Sequence, residues 1–132
     1  LEIIMATEDY ERGLALRKEV LGADYVERSF ANADDFSRPM QQLSTEYCWG
    51  RIWCREGLSR RDRSLLNIGM ISALNRPHEL KLHVKAALTN GLSRDEIREA
   101  LLQVAIYCGV PAGLDSTRIA REAFAEVDQA AE

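Results

Sequence analysis

Apolar residues recur along this chain at steps of three and four, and nowhere do they alternate as a half-buried strand requires. Tyr10, Leu14, Arg17 and Leu21 mark a first helix over Thr7 to Leu21, closed by Gly22; Asp24 then caps a short helix through Tyr25, Val26 and Phe30. Asn32-Ala33-Asp34-Asp35 reads as a turn, after which Ser37-Arg38-Pro39 opens a long helix that carries Glu46 and ends at Gly57. Ser59 with Asp62 resembles a capping box at the head of a helix containing Leu65, Leu66, Ile68, Ile71 and Leu74. That helix is apolar nearly all round, so it is expected to be the central, most buried element. Asn75-Arg76-Pro77 ends it, and Pro77 starts the next, with Leu80, His83, Val84 and Ala87 on one face and Asn90-Gly91 at its end. Ser93 and Glu96 form a capping box before a stripe of Ile97, Leu101, Val104, Ala105 and Cys108. Gly109-Val110-Pro111 breaks that stripe, and a last helix follows with Leu114, Ile119, Ala120 and Phe124. The expected fold is all-α.

Composition sharpens this picture without changing it. At 132 residues, 46% hydrophobic and 29% charged, the chain suits one ordinary domain over residues 1–132 with one core. No apolar run approaches the roughly 18 to 20 residues of a membrane span, and Leu1 to Met5 is too short for a signal peptide, so a cytoplasmic protein is expected. The three cysteines, Cys48, Cys54 and Cys108, contain no Cys-x-x-Cys, which points to neither a disulfide framework nor a bound metal. A net charge of −4 argues against nucleic-acid binding. Within that acidic total, Arg51, Arg55, Arg60, Arg61 and Arg63 crowd into one short stretch opposed by Glu56 and Asp62. Guanidinium groups grip carboxylates with a planar fork, so such a cluster suits a small polyanion or a carboxylate-rich subunit contact.

Two places carry unusual chemistry. In an α-helix Glu46, Trp49, Gly50 and Trp53 fall on one face, placing a carboxylate beside two indoles and a bare backbone. The same spacing also fits an indole core with Glu46 at its rim. On an α-helical wheel Arg51 and Arg55 lie about 140° and 180° from Glu46 and so point away from it. His83 is the second place: a histidine on an apolar face beside the small Ala86 and Ala87, where a partner can approach closely.

Together these residues resemble the gamma-carboxymuconolactone decarboxylase family. The resemblance rests on Glu46-Tyr47-Cys48-Trp49-Gly50, Ile52-Trp53, Arg55 and Gly57-Leu58; on Arg61 and Arg63-Ser64-Leu65; and on Glu79-Leu80, Leu82-His83-Val84, Ala87 and Asn90-Gly91. Glu96-Ile97, Glu99, Tyr107, Gly109 and Pro111-Ala112 continue it, and Tyr10, Gly13, Arg17 and Val20-Leu21-Gly22 extend it to about residues 10 to 125. Glu56, Cys54 and Gly113 depart from the family's usual residues. The resemblance implies an alkylhydroperoxidase D-like fold of about six to seven helices, assembled as a homo-oligomer, a ring-like hexamer. Redox members of that wider group carry a Cys-x-x-Cys pair near a histidine; here Cys48 and Cys54 are six apart on different helix faces.

The activity implied is decarboxylation of 4-carboxymuconolactone to the enol-lactone of 3-oxoadipate in protocatechuate breakdown. The departing carboxylate is conjugated with the lactone carbonyl, so the substrate accepts its own electrons and no cofactor is implied. His83 and Glu46 are then the candidate catalytic pair, His83 donating to the oxyanion or delivering the proton and Glu46 orienting it or relaying that proton. Arg51, Arg55 or Arg63 would hold the remaining carboxylate of this small carboxylated lactone, with Trp49, Trp53 and Tyr107 lining the site. Competing expectations are a thiol-dependent peroxide or disulfide reductase of the same fold, and a non-catalytic small-acid-binding or assembly protein.

Overall fold

The computed structural model describes residues 7–132; Leu1 to Met5, read above as too short for a signal peptide, lies outside them. The fold is all-α, as expected, with seven α-helices and one π-helical segment among the described residues. In chain order these are α1 (Glu8–Leu21), α2 (Ala23–Ala31), α3 (Arg38–Leu43), the π-helix π1 (Ser44–Trp53), α4 (Arg60–Leu74), α5 (Pro77–Thr89), α6 (Arg94–Cys108) and α7 (Val110–Ala130). No helix among them is long and apolar enough to cross a membrane. The chain divides into two compact units, Leu1–Leu58 and Ser59–Glu132.

In the first unit Thr7 caps α1 by accepting from the Tyr10 N–H at 3.0 Å. Gly22, at φ 95° and ψ 137°, ends α1 and begins α2 in backbone space that favours glycine. Asp24 therefore lies in the first turn of α2 and not at its cap. Asp34 and Ser37 exchange hydrogen bonds across the following turn, and these hold the Asp34 carboxyl below its ordinary pKa. The long helix expected through Gly57 is α-helical just to Leu43; Ser44–Trp53 is π-helical and Cys54 ends it.

The π segment packs on α1 backbone to backbone. A Cβ added to Gly13 would overlap the Thr45 carbonyl oxygen and stand 2.6 Å from the Gly50 nitrogen; one added to Gly50 would overlap the Asp9 carbonyl oxygen. Glycines at both positions thus permit the approach that buries Tyr10, Leu16, Trp49 and Trp53.

The second unit is built by more ordinary means. Ser59 caps α4 through the Asp62 N–H, Asn75 closes it in the left-handed region at φ 58°, and Pro77 opens α5. Both halves of the Ser93–Glu96 capping box are present. Ile68, Leu80, Val84, Ala87, Ile97, Leu101, Ile119 and Ala123 form the core. Helix α4 is not the wholly buried element expected: Ser64, Ile68 and Ser72 are buried, while Leu66, Met70 and Leu74 are exposed. Its side facing the core is narrow because serines, not leucines, occupy two of those positions. Leu114 on α7 and Cys108 on α6 likewise face outward, away from the stripes assigned to them. Gly113 has a packing reason, since a Cβ there would stand 2.5 Å from the Ala105 Cβ where α7 meets α6.

Candidate active site

The π geometry rearranges the first group of candidates. Hydrogen bonds from i to i+5 widen each turn by most of a residue, so residues four and five apart line up in place of those three and four apart. Thr45, Trp49 and Trp53, in steps of four, form the buried row, and the two indoles stack with centroids 4.8 Å apart and planes 21° from parallel. Glu46 is half-buried and sits off that row. Its neighbour one π turn along is Arg51, whose charge Glu46 helps to stabilise. The α-helical wheel that turned Arg51 away from Glu46 is thus corrected by the wider turn.

The arginine cluster is divided between the two units. Arg51 donates through Nε to Asp9 Oδ2 at 2.9 Å, a bond that chiefly raises its pKa, and its guanidinium lies 5.1 Å from the Tyr47 ring centre. Arg55 is exposed beyond the end of π1. Arg60, Arg61 and Arg63 belong to the second unit, where Arg61 pairs with Glu96 and Arg63 is half-buried.

His83 occupies α5 in the second unit, half-buried beside the fully buried Val84 and Ala87. Burial lowers its pKa from 6.5, and the carboxylate of Glu79 one turn earlier opposes that without reversing it. At neutral pH the imidazole is therefore uncharged, able to donate from one nitrogen and accept at the other. Two turns after His83, Asn90 Nδ2 donates to the buried Ser64 Oγ at 2.9 Å and ties the end of α5 to α4. Tyr107 is highly exposed on α6, at the edge of an open groove of about 460 Å³ lined by Leu65, Leu66, Met70, Val104 and Cys108. That lining is apolar and contains neither Glu46 nor His83.

The cysteines are free thiols: Cys48 and Cys108 exposed, Cys54 half-buried with its Sγ 3.8 Å from the Arg12 carbonyl oxygen. What burial the Cys48 thiol has raises its pKa, against the pull of nearby Arg17. A raised thiol is a poor source of the thiolate that peroxide reduction needs.

A model of the carboxymuconolactone decarboxylase family matches residues 38–122. The chain belongs to this family. It is 39% identical over 123 residues to the 4-carboxymuconolactone decarboxylase of Acinetobacter baylyi, covering 93% of this chain and 92% of that one. It is also 46% identical over 107 residues to the nitrosuccinic acid decarboxylase of Metarhizium robertsii, covering 81% of this chain and 75% of that one. Both of these relatives are decarboxylases. Among carboxymuconolactone decarboxylase family residues quoted earlier, Gly13 and Gly50 now have a structural reason, the α1–π1 crossing.

Arg17 is a buried cation that the candidate residues above do not include. It is 6% exposed, lies in the first unit, and has no carboxylate among its described partners. The signal was present: Arg17 occupies the apolar stripe of α1, where a cation is out of place.

Proposed function

We propose that this chain is a cofactor-independent decarboxylase of small dicarboxylates, with 4-carboxymuconolactone as its substrate. The observation that carries the reading is identity along nearly the full length of both proteins with a 4-carboxymuconolactone decarboxylase. Nitrosuccinic acid is the second candidate, favoured by the higher identity to the decarboxylase named for it.

The two substrates share one electron demand. In the lactone, the carbon–carboxylate bond breaks, its electron pair runs through the ring alkene to the carbonyl oxygen, and carbon dioxide leaves. The resulting dienolate is then protonated on the ring carbon next to that carbonyl. In nitrosuccinate, loss of the carboxylate beside the nitro group sends the pair to a nitro oxygen, and the nitronate is protonated on carbon. Each reaction needs a hydrogen-bond donor at the oxygen that gains charge, a proton for carbon, and a grip on the carboxylate that stays.

In this reading His83, neutral at working pH, donates to that oxygen, and Glu46 orients it or relays the proton. Trp49 and Trp53 offer an apolar wall for the departing carboxylate, since desolvation favours neutral carbon dioxide. A cation paired to that group would instead hold it back. Arg51, Arg55 or Arg63 would hold the remaining carboxylate, and Arg51 also carries Asp9. The apolar residues exposed in the second unit, Ile106 and Leu114 foremost, fit a homo-oligomer that covers them.

The test is an ultraviolet assay of 4-carboxymuconolactone consumption beside carbon dioxide release from nitrosuccinate. Turnover of either supports the decarboxylase reading and selects the substrate; turnover of neither overturns it. His83→Ala is expected to lower kcat by about 100- to 1000-fold, as removal of one preorganised oxyanion donor does, worth about 3 to 4 kcal/mol. Near-native turnover in an intact oligomer would remove His83 from the mechanism. Glu46→Gln should likewise cut kcat with little effect on assembly.

A further inference from the structure

A guanidinium removed from water is normally balanced by a carboxylate, because an uncompensated buried charge is costly. Among the described residues, Arg17 lacks that balance. Its Nη1 donates to two neutral oxygens, Gln41 Oε1 at 3.0 Å and Thr45 Oγ1 at 3.1 Å. The Phe30 ring centre lies 5.7 Å from its central carbon. Nε is buried and makes no hydrogen bond among the described residues, and Nη2 makes none there either. The Nε and Nη2 edge is the side of the fork that takes a carboxylate by two parallel bonds. Nη1 is meanwhile anchored by Gln41 and Thr45, so the fork is held in a fixed orientation before any anion arrives.

We propose that Arg17 is a carboxylate-binding residue, its Nε and Nη2 edge gripping the carboxylate that a dicarboxylate ligand retains. This rests on the decarboxylase reading for its substrate class: 4-carboxymuconolactone and nitrosuccinate each keep one carboxylate after the other leaves. Two arginines of the later cluster, Arg51 and Arg61, already carry acidic partners, whereas Arg17 carries none among the described residues. The neutral hydrogen bonds to Gln41 and Thr45 position Arg17 without cancelling its charge. Phe30 excludes water from one face of the guanidinium, which strengthens its attraction for an anion.

The experiment uses succinate, a dicarboxylate with no electron sink, titrated calorimetrically into the full-length protein and its variants, with butyrate as a monocarboxylate control. Arg17→Lys keeps a buried cation but loses the fork and is expected to weaken succinate binding roughly 100-fold, the loss of a paired charged hydrogen bond. Thr45→Val and Gln41→Ala remove the anchoring bonds yet leave the fork, and should weaken it less than tenfold. Should Arg17→Ala fold, added methylguanidinium is expected to restore part of the binding. Unchanged binding in Arg17→Lys, an equal loss in the Thr45 and Gln41 variants, or no succinate binding by the wild type would each overturn the assignment. Because succinate is not turned over, these outcomes stand apart from any failure of the decarboxylation assay. If turnover is found, Arg17→Lys should raise KM more than it lowers kcat, whereas damage to folding alone would lower the amount of active enzyme.

Discussion

The two units reach compactness by opposite routes. The first brings α1 and π1 together through Gly13 and Gly50, with a stacked indole pair, a buried threonine and a buried arginine in its interior. The second packs Ile68, Leu80, Val84, Ile97, Leu101 and Ile119 from four α-helices in the usual apolar manner. The first depends on backbone proximity and polar complementarity, which admit few substitutions. The second depends on volume and hydrophobicity, which tolerate many. Both units leave apolar residues on their outside, Phe36 and Met40 in the first and Ile106 and Leu114 in the second.

The sharpest way to break this comparison is to add one carbon to the first unit. In an exposed helix Gly→Ala ordinarily stabilises by about 1 kcal/mol. At Gly13 the added methyl would overlap the Thr45 carbonyl oxygen, so Gly13→Ala is expected to lose about 3 kcal/mol or more. Both tryptophans of the chain, Trp49 and Trp53, lie in the first unit, so urea unfolding followed by indole fluorescence reports that unit while circular dichroism reports both. A Gly13→Ala protein as stable as wild type by fluorescence would show that the crossing is looser than the structure has it.

Removing one carbon from the second unit should matter less. Ile68→Val, at a fully buried position, is expected to cost about 1 kcal/mol by circular dichroism, because the aliphatic core can partly close on the space. A loss as large as that of Gly13→Ala would erase the contrast between the units.

The smallest effect is a pH dependence confined to the second unit. The folded pKa of His83 lies below 6.5, so between that value and its lowered one the unfolded chain binds more protons than the folded one. Stability from this group therefore falls as pH drops through that window and is level above it. His83→Gln should flatten the slope of stability below pH 6.5. An unchanged slope would assign it to another group.

Much of the helical frame was legible because caps are local chemistry. Thr7, Ser59, the Ser93–Glu96 pair, Asn75 and Pro77 satisfy or forgo backbone hydrogen bonds within a few residues, and each ends or begins a helix where expected. The π segment was not legible. Shifting a hydrogen bond from i+4 to i+5 leaves no mark in composition, and it overturned the face shared by Glu46 and the indoles and the orientation of Arg51. Nor did apolar content predict that Leu66, Met70 and Leu114 would face outward, since periodicity names a face without saying what covers it.

By itself the sequence determined that this protein is helical, where most of its helices begin and end, and which decarboxylase family it joins, because those properties rest on contacts between near neighbours and on motif spacing along the chain. The tertiary structure alone decided that Gly13 and Gly50 serve a backbone crossing, that the tryptophans stack on a widened turn, that burial lowers the pKa of His83, and that Arg17 is buried without an acidic partner among the described residues. Each of these depends on which distant residues share a space, and the energy of burying a charge or a methyl group is set by that space.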